Sequence, residues 1–195
     1  MKTFKWFALA SVATLLLFGF ASCAKPPTAE VENAKAAVTK AEQDVNVPRY
    51  APDSLKRAKD TLARMQSELD AKRYEVAKGL ALETIQAAEK AIVDGKANME
   101  RAKSSSADLI KTIKLSLAEA EKALGAARGV RGIQLDFAAL ALELTTIKSS
   151  IAAAEADSTK GDYKSALEKA QAVQSKIADL TNRISEAVRA ASRKK

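Results

Sequence analysis

YAPDSLKRAKDTLARMQSELDAKRYEVAKGLALETIQAAEKA, from Tyr50 to Ala91, is the stretch whose reading decides the fold. Leu55, Ala58, Leu62, Met65 and Leu69 recur at alternating steps of three and four, which lays them along one face of a helix. Asp53 or Ser54 suits the N-cap, where a short polar side chain can accept a hydrogen bond from an unpaired backbone N–H. A turn around 70–73 leads to a second stripe, Tyr74, Ala77, Ala81, Thr84, Ala88 and Ala91, widened by Leu80, Ile85 and Ile92. Two such helices form a hairpin that cannot cover its own apolar stripe, so further helices must pack on it.

The chain on either side supplies them. Val31, Ala34, Val38, Ala41 and Val45 predict an earlier helix, ended by Pro48. Later ladders run through Ile110, Ile113, Leu117, Ala120, Leu124 and Ala127, then Phe137 to Ala154, then Tyr163 to Ala187. Between them the period falters at Gly95, Asn98 and Ser104-Ser105-Ser106. The reading favours a break or kink there, with Ser106 or Asp108 capping a new helix. The alternative is one helix from Tyr74 to Arg128, on the order of 80 Å long. GAARGVRGIQLD, 125–136, is the strongest interruption. Gly129 as a helix C-cap followed by a loop explains it most simply. Arg128 and Arg131 are a weak candidate anion contact, since no strand and no Walker lysine pattern accompanies the glycines.

Tyr163 stands 89 residues after Tyr74, and the same offset relates Leu55 to Leu144, Leu62 to Ile151, Ala77 to Ala166 and Ala81 to Ala170. It also relates Ala34 to Ala123 and Ala37 to Ala126. The expectation is an all-α fold: an elongated helical bundle, or coiled-coil-like tandem, of two three-helix units at 29–104 and 105–190, with a basic tail at 191–195. Leu55, Leu62, Tyr74, Leu144, Ile151 and Tyr163 are the expected structural positions. Composition agrees: 47% of the 195 residues are hydrophobic, many of them alanine, while aromatics are 5% and lie mostly in the first twenty positions.

Those first positions form a leader, 1–22, with Lys2 and Lys5 ahead of an uncharged run from Trp6 to Phe20. The only cysteine, Cys23, follows the small residues Ala21 and Ser22, and FASC resembles the lipobox of bacterial lipoproteins, with Phe20 where an aliphatic residue is usual. The resemblance implies cleavage before Cys23, a diacylglycerol on its sulfur and an N-acyl chain on its amine. Residues 23–28 would then be a lipidated tether stiffened by Pro26 and Pro27. A plain secretory leader or an uncleaved anchor are the alternatives. Ala24 lacks the aspartate associated with inner-membrane retention, which by the same resemblance favours the outer membrane, on its periplasmic or surface face, over the inner membrane.

Chemistry is sparse. There is no histidine, and a lipidated Cys23 leaves no thiol for a disulfide or a thiolate metal site. Glu68, Asp70, Glu75, Glu83 and Glu89 sit at helical spacing and read as solvated surface. The inventory points to no enzyme, no metal and no cofactor beyond the lipid. Removing the leader takes the net charge from +8 to +6, with basic residues dispersed except at Arg128/Arg131 and Arg193-Lys194-Lys195.

Tyr50-Ala51-Pro52, Leu55, Ala58, Tyr74, Ala77 and Ala81 resemble the pattern of a domain-of-unknown-function family, DUF4398, of bacterial lipoprotein helical hairpins. Some relatives carry an OmpA-like peptidoglycan-binding domain beside the hairpin. This chain shows none, so peptidoglycan is possible but unsupported, and the family implies no chemistry. GDYKSALEKA, 161–170, resembles the second helix of a tetratricopeptide repeat, but Ser150, Ala153 and Ala154 stand where its partner helix needs a large residue and a glycine. Two functions follow as expectations. One is a membrane-anchored envelope scaffold or adaptor for a protein partner, without nucleic acid. The other is a lipoprotein binding an anionic polymer, lipid or small ligand through a basic loop or interhelical groove.

Overall fold

The computed structural model describes residues 25–193, so the leader, Cys23 and the last two lysines lie outside the described residues. Six helices follow one another, with no strand among the described residues. They are α1 (Thr28–Gln43), α2 (Val47–Tyr50), α3 (Pro52–Asp70), α4 (Tyr74–Ala127), α5 (Phe137–Thr159) and α6 (Tyr163–Ser192).

Ion pairs and hydrogen bonds between helices give their directions. Glu30 pairs with Lys78 at 3.3 Å and Val47 lies against Gly95, so α1 and α2 run parallel to the first part of α4. Ser54 donates to Asp94 at 2.6 Å and Lys59 pairs with Glu42 at 2.6 Å, so α3 is antiparallel to both. Beyond residue 105, Lys114 pairs with Glu155 at 2.9 Å and Lys148 with Glu121 at 2.6 Å, which sets α5 antiparallel to α4. Arg183 with Glu143 and Lys169 with Asp157 set α6 antiparallel to α5. The result is two three-helix bundles end to end, with α4 as a member of both.

The expected break near Ser104 is absent: α4 is one helix of 54 residues, about 80 Å long at the α-helical rise. Ser106 caps nothing; its side chain is fully buried and its hydroxyl donates to the Lys103 carbonyl at 3.0 Å. A serine satisfied by its own helix can be buried without interrupting it. Asn98 donates its amide to the Tyr50 carbonyl at 2.8 Å, and a Cβ on Gly95 would come within 3.1 Å of the Val47 Cα. The ladder falters here because α4 passes from one bundle to the next with another backbone close against it.

Other boundaries shift for local reasons. α1 stops at Gln43, and Asp44 accepts from the N–H groups of Asn46 and Val47 to open the single turn α2. Val45, expected on the stripe, is 84% exposed, and Val47 is buried in its place. Neither Asp53 nor Ser54 caps α3, which begins at Pro52. A proline in the first turn needs no N–H partner.

The hairpin turns agree in detail at the expected offset. α3 ends at Asp70 and α5 at Thr159; α4 begins at Tyr74 and α6 at Tyr163. Arg73 N–H bonds the Glu68 carbonyl and Asp162 N–H the Asp157 carbonyl, the long closing bond of a Schellman turn in each case. The left-handed position is Lys72 (φ 60°) in the first turn and Gly161 (φ 81°) in the second. The first helices correspond differently. Buried Val31, Ala34, Val38 and Ala41 are matched 79 positions later by buried Ile110, Ile113, Leu117 and Ala120. The ion pair of Glu42 with Lys59 recurs as Glu121 with Lys148, 79 and 89 positions on. Pairing Ala34 with Ala123 and Ala37 with Ala126 is therefore wrong; Ala123 is half-buried and Ala126 exposed. The ten-residue difference lies in the extension of α4 to Ala127, in the loop 128–136 and in the start of α5 at Phe137, ahead of the position that matches Pro52.

The two interiors differ in kind. Between α1, α3 and α4 the buried residues are mostly alanine, with Val31, Val38, Leu55, Met65 and Leu80 among the larger ones, in two small clusters. The second bundle has one continuous cluster in which Ile113, Ile147, Val173, Leu180 and Ile184 are almost wholly enclosed. Leu55, Leu144 and Ile151 are buried, Tyr74 and Tyr163 half-buried. Leu62 is half-buried and bridges the two small clusters.

Ile147→Ala should cost about 2–5 kcal/mol in urea unfolding, and Leu62→Ala only about 1–2 kcal/mol. Equal losses would contradict this assignment of the interior. Lys72→Gly should stabilise by about 0.5–1 kcal/mol, the left-handed cost less glycine's entropy. Gly161→Ala should destabilise by about 1 kcal/mol, and opposite signs in a thermal melt would overturn the turn geometry.

Candidate functional site

Asp70, Glu75, Glu83 and Glu89 are exposed, while half-buried Glu68 pairs with Arg73 across the first turn. The Arg73 hydrogen bond holds the Glu68 carboxyl below its ordinary range. Asp94 is held down by Lys90 and then Ser54, and Asp157 by Lys169 and then Ser165. The backbone, then Lys78, lowers Glu30. These carboxyls favour the folded chain above about pH 4, and that contribution is lost as pH falls through their depressed values. A general acid needs the reverse shift, a carboxyl kept protonated near neutrality. Among the described residues no three His, Cys, Asp or Glu side chains converge, and no buried side-chain polar atom lacks a hydrogen-bond partner.

Arg49 and Tyr50, at the start of the Tyr50-Ala51-Pro52 (YAP) motif, meet the second bundle at mid-length. Arg49 pairs with Asp162 at 3.1 Å, and the Tyr50 hydroxyl donates to the Gly161 carbonyl over a long 3.5 Å. Lys103 lies 6.0 Å from the centre of the Tyr163 ring. Asp162 also caps α6 by accepting from Ser165 N–H. Tyr74 and Tyr163 mark the two turns, but only Tyr163 faces this junction, because the Tyr74 turn lies at the far end of the first bundle. Sequence reasoning missed the junction; its signal was the polar and small residues Gly95 and Asn98 inside an apolar ladder.

At the other end of α4 the loop 128–136 folds back toward α6. Ala127, Val130, Ile184, Val188 and Arg189 line one open groove of about 370 Å³. Gly132 (φ 80°), rather than Gly129, takes the left-handed conformation, so the expected Gly129 cap is replaced by a short turn closed by bonds from Gly129 and Val130 to Ala126 and Ala127. The Arg128 guanidinium stacks 4.9 Å over the Phe137 ring, and Arg131 is exposed. Asp136 caps α5, accepting from Ala138 and Ala139 N–H.

α5 has an unusual outer face. By length and composition it could cross a membrane, yet Leu140, Leu144, Ile147 and Ile151 are buried in the second core. Its charges Glu143, Lys148, Glu155 and Asp157 are all paired with neighbouring helices or with α6. What faces outward is Ala138, Ala141, Leu142, Thr145, Ser149 and Ala152, with Leu142 71% exposed. The outer face of α3 carries Lys56, Asp60, Arg64 and Asp70 instead.

No curated protein and no solved structure matches the chain. Residues 29–109 match the family described as domain of unknown function (DUF4398). The match takes in α1 to α3, the YAP junction and α4 to a point just beyond it. This alanine-lined first bundle is thus the part of the chain that is similar to the DUF4398 family.

Proposed function

We propose that the protein is a lipid-anchored bacterial envelope lipoprotein acting as a non-catalytic helical scaffold, built from two copies of one three-helix unit. The uncharged outer face of α5 is the observation that carries the scaffold reading. A charged face such as that of α3 is stable in water, whereas Ala138, Leu142, Thr145, Ser149 and Ala152 offer small side chains that let another helix approach closely. The partner that fits is an envelope protein presenting a similarly uncharged helix face. The lipobox at Cys23 supports the anchor, and two or three acyl chains would make it lasting. The outer membrane is the address this reading assigns. The repeated turns and the recurring Glu–Lys pair support the duplication.

A photo-crosslinking residue at Leu142 or Thr145 in living cells should capture one discrete protein partner, and the same residue at Lys56 or Asp60 should not. Equal capture from both faces, or none from α5, would remove the scaffold reading. Cys23→Ser should move the protein out of the membrane fraction, and retention there would contradict the anchor.

A further inference from the structure

Positive charge is concentrated at one end of the molecule. In sequence, Arg128/Arg131 and Arg189 to Lys195 are two separate basic segments. In the fold, α4 and α6 run parallel and end together, and Val130 shares a groove with Val188 and Arg189. Among the described residues, 128–136 and 186–193 hold four arginines against two carboxylates: Asp136, which is engaged in capping α5, and Glu186, which lines a shallow hollow with Gly132 and Leu135. The other described residues hold 24 lysines and arginines against 22 carboxylates. Half of the excess of four charges thus sits at this tip, in 17 of the 169 described residues.

Arg128, Arg131, Arg189 and Arg193 are all exposed, and among the described residues none is in an ion pair. A cation beside a helix C-terminus is stabilised by the helix dipole, typically by about 0.3–1 kcal/mol. That accounts for one charge at each of the two helix ends, not for four. Four guanidinium groups can each bind an oxyanion in bidentate fashion. The tip presents no large exposed hydrophobic residue: Val130, Ile133 and Leu135 are half-buried, and the exposed aliphatics Val45, Val76, Leu82, Val93, Leu115 and Leu142 all lie elsewhere. A contact made here is electrostatic, with nothing to enter acyl chains. A flexible polymer can reach the sides of a three-helix end that a flat lipid surface cannot.

We propose that this tip binds a polyanionic polymer bearing repeated phosphate or carboxylate groups. The tip lies about 80 Å along α4 from the end where the tether enters. A lipid anchor at Cys23 would make the molecule a spacer between membrane and polymer. Only that spacing rests on the anchor proposed above; binding at the tip is measured without it.

The test uses the full chain in detergent, titrated with fluorescent long-chain polyphosphate and with polyglutamate over a range of salt. Wild-type protein should bind at least one of them, more weakly as salt rises. Replacing Arg128, Arg131, Arg189 and Arg193 by Gln should weaken binding at least tenfold while the thermal melt stays cooperative, and replacing them by Lys should restore most of it. Removing the same charge from Lys40, Arg57, Arg64 and Lys96 should change binding less than twofold. Equal losses in the two sets would show diffuse charge and overturn the tip assignment. Failure to bind either polymer, with or without capture by phosphatidylglycerol vesicles, would overturn the polymer proposal.

Discussion

An unbroken α4 is the constraint on which the rest of the structure depends. A 54-residue helix cannot be stable in water through propensity alone; along its length it must be covered. α1 and α3 cover its first part, α5 and α6 its second, and at the changeover α4 accommodates both sets of neighbours with small or self-satisfied residues. Gly95 lets α2 approach to backbone contact, and Ser106 is buried without needing an outside partner. The cross-junction contacts of Arg49 with Asp162 and Tyr50 with Gly161 are half-exposed or long, and contacts of that kind contribute little. Collinearity of the two bundles therefore resides in α4, with the YAP junction bracing it from one side.

The two bundles solve the same packing problem with different side chains. Where the first places Thr84, Ala88 and Ala91 against its neighbours, the second has Val173, Ile177 and Leu180 at the matching positions. Alanine interiors allow close helix approach but remove little area from water, so the first bundle gains less from burial at about 25 cal/mol per Å². Its exposed ion pairs, such as Glu30 with Lys78 and Glu42 with Lys59, specify register more than they add stability. The larger aliphatic cluster of the second bundle makes it the firmer support for the uncharged α5 face and the basic tip.

Most of the fold was legible because helix periodicity and turn chemistry are local. The stripes through Leu55, Ala77, Leu144 and Ala170 predicted the helices, and the 89-residue offset between the tyrosines located two turns with the same hydrogen bonds. The failures share one cause. Gly95, Asn98 and Ser106 read as a break because their partners, α2 and the start of the second bundle, are remote in sequence. The alignment of the first helices slipped by ten residues because alanine matches alanine almost anywhere, whereas the Glu121–Lys148 pair needs three dimensions to be recognised. The two basic segments read as separate for the same reason, since only the parallel run of α4 and α6 brings their ends together. Leu62 sits on the correct face but at its edge, a distinction that a one-dimensional stripe does not carry.

A molecule with a near-neutral shaft, one uncharged helix face and a charged end has its possible contacts separated along its length, and the spacing between them is fixed only while α4 stays straight. The most direct test is the distance across the region where the apolar ladder falters. With Cys23→Ser in place and spin labels at Glu83 and Lys111, both exposed, pulsed dipolar spectroscopy should give a single narrow distribution near 42 Å, about 1.5 Å for each residue of a continuous helix. A broad distribution, or one centred below about 35 Å, would mean a break or hinge in α4 and would contradict the account.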